Sequence, residues 1–211
     1  MREAEVKSHF ETIAEKYDFY KNKSRFYYRS IKNYLKEAVP SNKRILDFGC
    51  GTGEILAHLN PQAGVGYDIS PKMLKIAKKK FANSKNLRFV TSLNQISGTF
   101  DYIMMIDVVE HLARPQKAFE SLREFCGKET LLIVSFVDSS WEPLLWILEK
   151  ARLKMPEGPH RRLKTGKVIK IAKKSGFGVY EIRKTRIFPW LPFSPLTFLT
   201  LIRKKLKEDS S

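Results

Sequence analysis

Between Arg44 and Val137 short apolar runs alternate with helical segments, and this alternation constrains the fold more than any other feature. Arg44-Ile45-Leu46-Asp47-Phe48 reads as a strand that runs into glycines. Residues 54–59 read as a helix, and 64–68 as a second strand. Ser70 then offers an N-cap and Pro71 a first-turn proline. Met73, Leu74, Ile76, Ala77 and Phe81 give the helix that follows one apolar face. Residues 87–91 and 100–107 read as strands three and four, 115–125 as a helix and 130–137 as strand five. Such alternation with short loops predicts a parallel sheet with helices on both faces. Right-handed crossovers make it a doubly wound α/β fold.

The flanks follow other rhythms. Val6, Phe10, Ile13 and Tyr17 fall at helical spacing, as do Tyr27, Ile31, Tyr34 and Leu35. Pro40-Ser41-Asn42 closes this region, so residues 1–40 are read as a helical lid or appendage and 41–211 as the main domain. Residues 141–153 look helical and apolar, 155–160 form a loop, and 168–174 a short helix that stops at Gly176. Residues 179–188 and 197–202 read as a closing pair of strands, which brings the mostly parallel sheet to seven.

The chemistry concentrates in Asp47-Phe48-Gly49-Cys50-Gly51-Thr52-Gly53, a glycine loop between a strand and a helix. Its glycines allow a tight turn and close approach to a ligand, and the helix behind it offers free N–H groups. Asp68 ends the second strand, about 20 residues beyond the first glycine, where an acid can accept hydrogen bonds from a ribose. Two ligand classes use this geometry. A dinucleotide would set its pyrophosphate against Asp47, an awkward neighbour, and the spacing is GxGxG rather than GxGxxG because position 54 is Glu. A sulfonium cofactor, S-adenosylmethionine, would welcome that carboxylate.

On these residues the chain resembles the class I S-adenosylmethionine-dependent methyltransferases. The matching segments are Asp47-x-Gly49-x-Gly51-x-Gly53, then Gly66-Tyr67-Asp68-Ile69-Ser70, then Phe100-Asp101-Tyr102-Ile103 leading into Asp107-Val108-Val109-Glu110-His111-Leu112. The last resembles the branch that includes the ubiquinone and menaquinone biosynthesis methyltransferases. The resemblance implies that Gly49, Gly51 and Gly53 meet the methionine part of the cofactor and that Asp47 binds its amino end. It implies Asp68 on the ribose, Ile69 on the adenine, and Asp107 and Val108 beside the methyl-transfer chamber. The family often places an acid after the third strand, near the adenine amino group; here Ser92 stands in that region and can still hydrogen-bond. A late antiparallel strand is also implied.

Two histidines are candidates for catalysis. His111 follows the fourth strand and is either a general base or a loop residue that shapes the pocket. His160, in Gly158-Pro159-His160-Arg161-Arg162, is either a substrate contact on a lid loop or part of a basic grip. Asp107 borders the chamber or merely caps the segment after its strand. Trp141, Trp146, Trp190, Phe193 and Phe198 either line an apolar acceptor pocket or pack the core.

Composition narrows the partners. Lys and Arg number 39 against 22 Asp and Glu, a formal charge of +17 that favours anionic partners such as nucleic acid, a membrane face or a phosphorylated substrate. Thirteen of the basic residues fall between positions 150 and 186, against Glu157 and Glu181. Two cysteines exclude a disulfide scaffold and a Cys-rich zinc module, and no metal site is expected. The charged N-terminus lacks a signal sequence, which points to the cytoplasm. The uncharged run 187–202 is broken by Pro189, Pro192 and Pro195, so it reads as an interfacial segment at most. After the fourth strand the Asp/Asn/Ser-Pro-Pro-aromatic tetrapeptide of amino-methylating DNA and protein enzymes is absent. The acceptor expected is therefore a small apolar or lipid-linked molecule, with peripheral contact at the inner membrane face. RNA methylation, on charge alone, and a non-catalytic cofactor-binding or interaction protein are the alternatives.

Overall fold

The computed structural model describes residues 2–139, 158–161, 163–185 and 196–203. Three helices open the chain: α1 (Glu3–Ile13), α2 (Tyr17–Lys23) and α3 (Arg25–Ala38). The alternating core follows as β1 (Arg44–Phe48), α4 (Glu54–His58), β2 (Ala63–Tyr67), α5 (Pro71–Lys80), β3 (Leu87–Val90), β4 (Phe100–Ile106), α6 (Pro115–Leu122) and β5 (Cys126–Val137). It ends with α7 (Thr165–Lys174), β6 (Phe177–Thr185) and β7 (Leu196–Arg203). The sheet has seven strands in the order β3-β2-β1-β4-β5-β7-β6. The first five run parallel, and β7 is antiparallel to both of its neighbours.

Period-two alternation sorts the core into two layers. Met104, Ile106 and Ile133 face one side, packed with Leu56 of α4 and with Leu74 and Ala77 of α5. Ile103, Met105, Leu132 and Val134 face the other, against Phe119 and Leu122 of α6 and Val168 and Ala172 of α7. Ile31, Tyr34 and Leu35 of α3 join the first layer, so this part of the N-terminal region is packed on the sheet. Tyr34 stacks on fully buried Phe198 of β7, with ring centroids 3.9 Å apart. Phe198 is thus a core residue. Trp141, Trp146, Trp190 and Phe193, together with the helical reading of 141–153, lie outside the described residues.

Boundaries shift where backbone geometry intervenes. β4 stops at Ile106 because Asp107 turns left-handed, with φ of +55°. β5 begins at Cys126, four residues before the expected start, because a register irregularity lets Cys126 pair with Phe100 ahead of Leu131 with Tyr102. α7 starts at Thr165, whose N–H and hydroxyl both donate to Asp138. No described helix is long and apolar enough to cross a membrane.

Candidate functional site

The C-terminal ends of β1, β2 and β4 open onto a cavity of about 700 Å³. Gly49, Gly51, Asp68, Ile69, Asp107 and His111 all line it. The glycine loop forms its floor. The N–H groups of Gly49 and Cys50 both donate to the Tyr67 carbonyl, at 2.7 and 3.0 Å, which folds the loop back over β2. Gly49 adopts φ +85°, and a Cβ there would fall 2.4 Å from Val108 Cγ2. Glycine is therefore required twice over at this position, by conformation and by space.

Asp68 does structural work in the loop. Its Oδ2 accepts from Gly51 N–H at 2.8 Å and its Oδ1 from Ser70 N–H at 2.9 Å. Ser70 in turn caps α5, accepting from Met73 N–H at 3.3 Å. Burial raises the Asp68 carboxyl above its ordinary range, while the Ser70 and Gly51 hydrogen bonds and Lys21 pull it back.

Asp47 lies beneath the loop, 2% exposed. Burial pushes its carboxyl up to about 7; Lys21 opposes this and the neighbouring Asp68 adds to it. A carboxyl raised this way destabilises the fold increasingly as pH rises from its unfolded value near 4 to its folded value near 7, because the folded state holds the proton longer. Asp47→Asn removes that penalty. The variant is expected to melt several degrees higher than the wild type at pH 8, at about 3 °C per kcal/mol for a chain of this size, while binding a cationic cofactor more weakly. Thermal melts at pH 5 and pH 8 check the first part; a melting gain equal at both pH values contradicts it.

Sequence patterns had singled out the glycines and acids but not the N-terminal groups that meet them. Lys21, only 6% exposed, lies with its Nζ 4.8 Å from the ring centroids of both Tyr17 and Tyr28. Tyr17 lines the cavity and presses on Gly51, and burial raises its phenol strongly. The one signal available was a lysine four residues beyond Tyr17 inside an aromatic run, a helical spacing that puts both on one face. A second link ties α2 to the loop: the Thr52 hydroxyl donates to Asp18 at 2.6 Å, and Lys80 pairs with both Asp18 and Glu54.

Asp107 is held from behind. Its N–H donates to Ser135 Oγ at 3.1 Å, and the Ser135 hydroxyl donates to Asp107 Oδ1 at 2.8 Å. Tyr27 also hydrogen-bonds this carboxylate. The left-handed backbone at Asp107 is one that Asp and Asn tolerate better than other side chains.

Beside it, His111 lines the cavity with Phe10 edge-on at 5.3 Å. Its Nδ1 lies 2.9 Å from the Pro159 carbonyl. A carbonyl only accepts, so Nδ1 carries the proton and the neutral ring has its basic lone pair on Nε2. His160 sits behind, its ring 6.3 Å from His111 and its Nδ1 bonded to Gly158 O at 3.1 Å. It does not line the cavity. Neither do Asp47, buried beneath the loop, Gly53, the left-handed N-cap of α4 packed on Phe89, and Ser92, whose hydroxyl caps the short turn Leu93–Gln95. Among the described residues no cluster of His, Cys, Asp and Glu is placed to hold a metal.

Glycine loop, strand-end acids and buried lysine define a domain suited to a cationic nucleoside cofactor rather than a pyrophosphate. The profile of the methyltransferase domain family matches residues 20–182. The chain is 29% identical over 134 residues to an uncharacterized protein of Methanocaldococcus jannaschii, covering 61% of each. It is 29% identical over 146 residues to the malonyl-acyl-carrier-protein O-methyltransferase of Halalkalibacterium halodurans, covering 62% of this chain and 54% of that enzyme. The matched segments of the first three curated relatives span 61%, 29% and 27% of their lengths. In fold it is similar to an S-adenosylmethionine-dependent methyltransferase of Thermotoga maritima (TM-score 0.71, 18% identity, 95% of this chain and 100% of that one). It is likewise similar to the magnesium protoporphyrin IX methyltransferase of Synechocystis PCC 6803, solved with bound S-adenosylhomocysteine (TM-score 0.61, 23% identity, 83% and 81%). The chain belongs to the methyltransferase domain family, the class I S-adenosylmethionine-dependent enzymes, and its cofactor is S-adenosylmethionine.

Proposed function

We propose that the chain transfers a methyl group from S-adenosylmethionine to a small apolar or lipid-linked acceptor held at the C-terminal edge of the sheet. The bound cofactor supplies a methyl group already activated by its sulfonium, so the protein's task is alignment and exclusion of water. The buried carboxyl of Asp47, raised to about 7, fits a cationic ligand, because a positive charge beside it relieves the cost of its ionisation. In this reading Asp47 acts on the amino end of the methionine from beneath the loop, through the loop backbone, and Lys21 balances the charge of Asp47 and Asp68. The loop of Gly49, Gly51 and Gly53 closes around the methionine, Asp68 takes the ribose hydroxyls with its remaining lone pairs, and Ile69 covers the adenine. Ser92 stays tied into its turn unless the adenine amino group draws its hydroxyl away. Asp107 borders the transfer chamber, and α1 and α2 act as its lid.

His111 is the observation that carries the chemistry. With Nδ1–H committed to Pro159, Nε2 is the basic atom, suited to take a proton from an oxygen or nitrogen nucleophile as it attacks. His160 lies behind His111 on the segment that carries Pro159, and in this reading it helps to hold that wall of the chamber. The acceptor class is supported by the apolar side chains around the chamber, including Phe10, Ile106 and Leu112. It is also in keeping with two relatives whose names give protoporphyrin and a carrier-bound malonyl group as acceptors.

Labelled methyl donor, incubated with the protein and separate lipid and RNA extracts, tests the acceptor class. Label is expected in the lipid fraction; label in RNA instead overturns it. With the acceptor in hand, His111→Asn is expected to lower kcat by about 10² or more and to flatten the rise of rate with pH, leaving cofactor affinity nearly unchanged. An unchanged kcat and profile would remove the base.

A further inference from the structure

Helix α2 has two faces with different neighbours. Tyr17, Asp18 and Lys21 turn toward the glycine loop and its acids. Phe19 and Lys23 turn outward, and Phe19 is 57% exposed. At the start of α3, Phe26 is 41% exposed. Both side chains are apolar and partly exposed, seven residues apart in sequence. Each has its own cation over it: Lys23 Nζ lies 4.9 Å from the Phe19 centroid, and the Arg25 guanidinium 5.2 Å from that of Phe26. Tyr20 meets Phe19 edge-on at 5.9 Å.

The surroundings are strongly basic. Lys16 and Arg29 are exposed beside the rings, and Glu15 is the one exposed acid in the segment 15–29. Lys80 joins α5 to α2 through Asp18, and Glu54 links Lys80 to Lys32 of α3. These links meet α2 on its loop-facing side, and α5 adds four further exposed lysines, Lys72, Lys75, Lys78 and Lys79, to the positive charge of this part of the molecule.

We propose that this aromatic and basic face of α2 and α3 seats on the surface of an anionic lipid bilayer. Phenyl rings bury in the acyl boundary while the flanking ammonium and guanidinium groups remain at the level of the phosphates. The lysines of α5 add long-range attraction to a negative surface. Single-stranded RNA fits less well, since base stacking uses ring faces and each ring already has one face against its own cation. The seating deepens the reading of a lipid-linked acceptor and takes its purpose from it. Membrane contact on the outer face of α2 would put the lid helix, and hence the cavity it covers, within reach of an acceptor resident in the bilayer.

Co-sedimentation with vesicles of phosphatidylglycerol and phosphatidylcholine, against phosphatidylcholine alone, tests the proposal. The wild type is expected to sediment with the anionic vesicles and to be released by salt. Phe19→Ala/Phe26→Ala is expected to bind them about tenfold or more weakly, with S-adenosylmethionine affinity and thermal melt as in the wild type. Three outcomes overturn it: no sedimentation of the wild type at low salt, a double variant that sediments as well as the wild type, or binding to transfer RNA that exceeds vesicle binding and is lost in the double variant. Vesicle binding together with no labelled lipid product would support the surface and overturn the acceptor class, so the two readings fail separately.

Discussion

Alanine at position 68 is expected to weaken S-adenosylmethionine binding by about 100-fold or more, the equivalent of two charge-assisted hydrogen bonds to a ribose. The loss has a second source. Gly51 N–H and Ser70 N–H both donate to this carboxylate, and alanine leaves both donors in a largely buried loop without their acceptor. The loop that shapes the methionine end then loosens along with the ribose contact. Asp68→Asn separates the two effects in part. Its carbonyl oxygen keeps one loop hydrogen bond while its NH2 confronts the other N–H, so its affinity is expected to fall between those of wild type and alanine. Calorimetric titration measures both; an alanine variant that binds within a few-fold of the wild type would remove Asp68 from the site.

Gly49→Ala is the other substitution with a large expected effect. A methyl group there would meet Val108 Cγ2 at 2.4 Å, and φ of +85° is hostile to any side chain. Together the strain and the overpacking are expected to cost about 3 kcal/mol, a fall of roughly 10 °C in Tm for a chain of this length. Cofactor binding should suffer more than stability, since Val108 lies beside the chamber and any relief moves it. Adding Val108→Ala removes the contact but not the backbone strain. The double variant is therefore expected to recover part of the lost melting temperature. A Gly49→Ala chain that melts like the wild type would show that the loop can take another conformation without cost.

The glycine loop, Asp68, Ile69 and the alternation of strands and helices were legible because each is written within a few neighbouring residues. Turn geometry, capping and period-two burial are local properties, so Ser70-Pro71 announces α5 and Ile103, Met104 and Met105 divide between two layers as alternation requires. What escaped is non-local. Ser135 holds Asp107 across 28 residues of sequence, and nothing in either segment marks the pairing. Lys21 reads as one more surface lysine in a chain with 39 basic residues, yet it is buried between two tyrosines near Asp47. Ser92 stands at the expected place in the order of strands, and its hydroxyl takes part in a capping box with Gln95 that is itself local in sequence. The left-handed turn at Asp107 ended β4 one residue early, a conformation that aspartate tolerates and that the bond to Ser135 holds.

These contacts give the site a common electrostatic logic. Asp47 and Asp68 are both raised by burial, and Lys21 lowers both. A ligand that brings positive charge to Asp47 allows it to ionise, and one that brings a pyrophosphate meets carboxylates instead of donors. The most direct test is calorimetric titration of the wild-type protein with S-adenosylmethionine and, separately, with NAD, at pH 6 and at pH 8. Ionisation of a carboxyl at about 7 predicts S-adenosylmethionine binding about tenfold tighter at pH 8 than at pH 6, and no binding of NAD. A preference for NAD, or an affinity for S-adenosylmethionine that stays level or falls as pH rises, would contradict the account.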